Sequence, residues 1–134
     1  MNPSTKIFAM LSLAAAVGKK IQTMDMSNSC QKALGESLHS VGHEATELYP
    51  YPALTVSKTV QVFNAVAGLL SGLTEPQALL SMLIAGLVDI YARCKPERKA
   101  IIDPVIYCAQ ACLDAYPCEV DHDAAFERYE RWAS

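Results

Sequence analysis

Between Met26 and Leu48, apolar side chains return every three or four residues: Met26, Cys30, Ala33, Leu34, Leu38, Val41, Ala45 and Leu48. Such steps gather residues on one side of a helix that turns once per ~3.6 residues, whereas a strand would alternate by two. The stretch predicts an amphipathic helix that opens near Ser27 and Asn28. It closes at Tyr49-Pro50-Tyr51-Pro52, because each proline pushes its predecessor out of helical geometry. A helix with one apolar stripe must bury it against other elements, so the rest of the chain has to supply them.

The remainder also reads as helix, in well-punctuated segments. A first helix runs from Pro3 to about Ile21, with Asn2 able to cap it and Pro3 suited to its first turn. It is apolar almost all round, which predicts burial. Ser57 can cap a third helix through Leu70, with Val60, Phe63, Val66, Ala67 and Leu70 inward and Gly72 as its left-handed stop. Thr74-Glu75-Pro76-Gln77 has capping-box spacing and opens a fourth helix to about Arg93. A fifth starts at Pro96 or, fitting best, with Asp103 as cap and Pro104 at the first helical position; Pro117 ends it. Asp121 caps a short last helix carrying Phe126, Tyr129 and Trp132. The one β-branched cluster, Leu54-Thr55-Val56, is too short for a sheet. The expectation is an all-α fold, a compact bundle of five to six helices forming one domain over residues 1–134.

Bulk properties narrow the function. At 51% hydrophobic and 19% charged, the chain is too apolar for disorder. Its net charge of −3 argues against nucleic acid, since the Lys and Arg residues are scattered apart from Arg93, Lys95, Arg98 and Lys99. The longest apolar stretch, Ala78 to Val88, falls well short of the ~20 residues that cross a bilayer. Five cysteines cannot all pair within one chain. On helical faces free cysteine behaves as a small hydrophobe, which suits a reduced, cytoplasmic protein. Lys6, the run Ile7 to Leu13 and Ala14-Ala15-Ala16 nevertheless resemble a secretory signal. Cleavage after residue 16 would place the chain in the periplasm or outside the cell; the expectation is that this segment is retained as a packed helix.

Two groups have ligand-like spacing. Cys108-x3-Cys112-x5-Cys118-x3-His122 offers three thiolates and an imidazole, the donor set of a closed tetrahedral zinc site. Its last two spacings resemble the tail of Cys-Cys-Cys-His zinc fingers, and Cys108-x3-Cys112 resembles the repeat of copper-storing four-helix proteins. The alternative is that Cys108 and Cys112 simply line a core beside Val105, Ala109 and Ala111. Glu36, His39, His43 and Glu47 form a stripe opposite Leu34, Leu38 and Val41, either a divalent-ion site or a solvated polar face. His122-Asp123 stands alone, and no phosphate loop, dinucleotide fingerprint or nucleophile elbow occurs. The expectation is therefore a protein that is not an enzyme and needs no cofactor, with a zinc or copper module on the Cys108 group as the alternative.

What remains is binding. Tyr49 and Tyr51 alternate with Pro50 and Pro52, which reduces the ordering cost of an anchor, and Trp132 lies close to Arg128 and Arg131. These five residues are the expected partner contacts. In type, small acidic helical chains of this kind resemble phage- or mobile-element-borne inhibitors, immunity proteins and complex subunits. A protein partner is expected, with homo-oligomers compatible and nucleic acid excluded.

Overall fold

The computed structural model describes residues 3–23, 29–49, 61, 64–66, 68, 70, 76–115, 127, 130 and 131. Every continuous element among them is helical: α1 (Pro3–Thr23), α2 (Ser29–Leu48), α3 (Pro76–Arg93) and α4 (Pro96–Asp114). The described residues from 61 to 70 are helical as well. The chain is an all-α bundle, as its periodicity predicts. α1 packs on α2, α2 on α4, α4 on α3 and α3 on α1, so the four helices form a ring with little contact between α1 and α4 across it.

Burial follows the hydropathy of each helix. From Thr5 to Thr23 in α1, only Lys19 and Thr23 are exposed. α1 brings Met10, Leu11, Leu13, Val17 and Ile21 to the core, and α3 brings Leu79, Leu80, Met82, Leu83 and Leu87. Each such side chain contributes roughly 1.5–3 kcal/mol relative to exposure, so these two helices hold most of the apolar driving force. α2 and α4 are amphipathic and bury one side each, leaving their outer sides to solvent. The charges on α3 are local: Asp89 pairs with Arg93 at 3.0 Å, but the arginine side chain is 73% exposed and the pair adds little.

The close approach of α1 and α2 depends on glycine. A Cβ on Gly42 would lie 2.5 Å from the backbone nitrogen of Ala15, and one on Gly18 would lie 2.7 Å from the Gly35 carbonyl oxygen. These neighbours are backbone atoms and cannot rotate away, so the two helices meet only because no side chain stands between them. Among the residues whose burial is described, the buried positions along α2 and at its end are consequently Gly35, Leu38, Gly42, Ala45 and Tyr49. The hydropathy stripe also includes Leu34, Val41 and Leu48 as inward-facing residues. In the structure the next residue takes over each time, and Leu48 is 60% exposed. Hydropathy gives glycine no weight, although here it marks the contact line.

The fifth expected helix starts at Pro96, the earlier of its two expected openings. α4 begins at Pro96 after an extended Lys95 (φ −68°, ψ 152°), and Pro104 lies inside it. Asp103 is thus a helix-interior residue rather than a cap. Pro104 has no N–H to give the Ala100 carbonyl, but both residues lie on the exposed side, where water can serve that oxygen. Ile102 and Val105 are fully buried on the other side, and their burial keeps the helix continuous.

Candidate functional site

The residues singled out by sequence fall in three places. Tyr51, Arg128, Trp132, Cys118 and His122 lie outside the described residues. Arg131 is helical and exposed. Tyr49, expected as an exposed anchor, is buried at 6% exposure, with the Arg98 guanidinium 5.0 Å above its ring. It packs over the end of α2 because its amide continues the helical pattern, donating to the Ala45 carbonyl at 2.9 Å, and this turns the ring under α4. Tyr49→Ala should therefore lower stability by about 3 kcal/mol, as truncation of a buried aromatic does. A denaturant titration measures this, and an unchanged midpoint would mean the ring contributes no packing.

The polar stripe of α2 divides. Glu36, His43 and Glu47 are exposed, whereas His39 is half-buried and bonds across to α1. Its Nδ1 lies 2.8 Å from the Ala15 carbonyl oxygen, which only accepts, so Nδ1 carries the proton. The contact sits beside the glycine crossing and ties the two helices together there. The His39 and His43 rings meet edge-on with centroids 4.4 Å apart. Among the described residues, no three His, Cys, Asp or Glu side chains are grouped to hold a metal ion.

Cys108 and Cys112 lie one turn apart on the side of α4 that faces α2. Cys108 is half-buried and Cys112 fully buried, and the Cys112 thiol donates to the Leu34 carbonyl at 3.3 Å. Its interaction with Cys108, together with burial, pushes the Cys112 thiol up and keeps it protonated. The same interaction lowers the Cys108 thiol from 9.0 to about 7, working against partial burial. Cys112 has one proton to give, which serves Leu34 while Cys108 is a thiol and the Cys108 sulfur once that residue ionises. Alkylation of Cys108 by iodoacetamide should accordingly rise with pH through about 7. Cys112→Ala should move that midpoint up to 9.0 or above, because partial burial then acts alone. Peptide-resolved mass spectrometry reads both, and equal midpoints in the two proteins would remove the coupling. Two thiols with these opposed tendencies are half of the expected zinc donor set, and a closed tetrahedral site requires four ligands.

The surface feature that sequence reading missed lies between α2 and α4. The two helices run antiparallel there, with Leu34 beside Cys112 and Ala45 beside Ile101. They leave an open groove of about 100 Å³ whose apolar walls are Val41, Ala45, Leu48, Ile101 and Pro104, with Glu44 at its edge. One turn of α4 further along, Tyr107 is 80% exposed. A signal for it existed: Asp103, Tyr107, Gln110 and Asp114 recur at steps of four, three and four, so the tyrosine rides on a polar stripe. Leu48 gave no such signal, because its spacing matches the buried residues. No protein-family model, no curated protein and no solved structure matches this chain.

Proposed function

We propose that this protein works by binding a protein partner, without catalysis, and that the outer face of α2 and α4 is its contact surface. The observation that carries this reading is an open apolar groove with Leu48 (60% exposed) in its wall and Tyr107 (80% exposed) one turn further along α4. Large apolar side chains held out by helices on a rigid core cost little conformational entropy to bury again, and tyrosine is prominent among the residues that dominate interface energies. The groove replaces Tyr49 as the anchor, since that ring is already committed to the fold.

The double variant Leu48→Ala, Tyr107→Ala tests the proposal. It should weaken the complex with a partner recovered by the wild-type chain at least ~30-fold, the equivalent of ~2 kcal/mol for hot-spot loss. Its melting temperature should stay near the wild-type value, because both side chains are exposed. Undiminished binding by the double variant would remove this face from the function.

A further inference from the structure

Acidic side chains predominate along the groove, with the Arg98 guanidinium over Tyr49 as a cation at its end. Over residues 33–48 of α2 and 100–114 of α4 there is no lysine or arginine. Glu36, Glu44, Glu47, Asp103 and Asp114 are all present and all exposed. These two spans carry five negative charges, more than the net −3 of the whole chain. We infer that the occupant of the α2/α4 groove is a basic amphipathic helix, with an apolar stripe for the groove and lysine or arginine on its flanks. The inference rests on the reading of this face as a docking surface and adds the chemistry of the partner.

Shape and charge select this occupant together. The apolar walls extend from Val41 to Leu48 on α2, roughly 10 Å at 1.5 Å per residue, which matches two turns of a helix lying along the channel. An apolar stripe with residues at i, i+3 and i+4 can enter between Leu48 and Pro104. Glu44 lines the groove itself, so a cation beside that stripe comes within reach of its carboxylate. Glu47 and Asp103 are exposed and adjoin the lining residues Leu48 and Pro104 in the chain, close enough to draw in a positive partner and repel a negative one. A second copy of this chain would instead bring the same five acids against their equals, and like charges directly opposed disfavour that assembly. The charge argument thus separates a basic partner from self-association, which the apolar groove alone does not.

Three synthetic peptides test this with the full chain. They share one helical apolar leucine stripe and differ only in their polar positions, which are lysine, glutamine or glutamate. Binding is followed by titration calorimetry and by amide shifts of α2 and α4, at about 50 mM and about 500 mM salt, a range that shortens charge screening severalfold. The lysine peptide should shift groove residues and bind at least ~10-fold tighter than the glutamine peptide at low salt, and the glutamate peptide should bind weakest. High salt should close the gap, and Glu44→Gln with Glu47→Gln should narrow it at low salt. If lysine and glutamine peptides bind the groove equally, the charge inference is wrong while the docking surface stands. If no peptide shifts the groove and sedimentation shows a dimer that Leu48→Glu dissociates, the occupant is a second copy. If neither peptide binding nor a dimer occurs, the inference and the proposed function fall together.

Discussion

A chain lacking residues 1–16 should lose cooperative folding, with little helical far-ultraviolet signal and no sharp melt. The deletion removes Ile7, Met10, Leu11 and Leu13 from the core, all of them buried in α1. At roughly 1.5–3 kcal/mol for each large side chain, the loss is comparable with the ~5–15 kcal/mol that holds a typical domain together. The damage does not stop there. Gly42 on α2 would lose Ala15, the residue that covers it, and the side of α3 that packs on α1 would lose much of its partner. The deleted segment is the one whose composition resembles a secretory signal, so the experiment also shows whether the fold can dispense with it. A two-state melt close to that of the full chain would mean α1 contributes little to the core.

The second large effect concerns the glycine crossing, where the sign of the change is informative. Alanine is favoured over glycine in a helix by ~1 kcal/mol, so a glycine-to-alanine change should stabilise where there is open space for the added Cβ. Gly68 is such a position: it is helical and exposed, and an added Cβ would meet nothing within 4 Å. Gly42→Ala should do the opposite. Its Cβ would lie 2.5 Å from Ala15 N and 2.8 Å from Ala15 Cα, so α1 and α2 would have to separate. Overpacking of this kind costs ~1–3 kcal/mol, and separation also stretches the His39–Ala15 hydrogen bond, worth about 1 kcal/mol. Gly42→Leu should prevent the native packing altogether. Paired melting curves decide the matter: Gly68→Ala should melt above wild type and Gly42→Ala several degrees below it. A stabilised Gly42→Ala would show that the helices can move apart freely.

Much of the architecture was legible because helices announce themselves locally. The limits of α1 and α3 agree with the expected segments to within about two residues, since Pro3, Pro76 and Arg93 punctuate them. Of the two expected openings of α4, Pro96 wins over the better-fitting Asp103-Pro104 for an instructive reason. Asp103-Pro104 is a good local helix opening, but Ile102 and Val105 on either side gain more from continuous burial than one lost hydrogen bond on the exposed side costs. The candidate site was less legible. Tyr49 and Tyr107 are the same residue type, yet one is buried beneath Arg98 and the other stands in solvent. Their own identity says nothing of this, and only the facing helix decides it.

Secondary-structure type, the main helix limits and the two helices rich enough in apolar side chains to be central follow from local patterns along the chain. Those properties depend on residues within a few positions of one another: period, caps and prolines. Which side of α2 turns inward was decided only in the tertiary structure, because Gly35 and Gly42 act through the approach of Ala15 and Gly18 from a different helix. The groove arose in the same way. Leu48 is left exposed because α2 rotates to bring its glycines against α1, and Pro104 completes the opposite wall because α4 stays helical through it. A surface that needs two helices, each oriented by a third or by its own buried side, has no local signature to read.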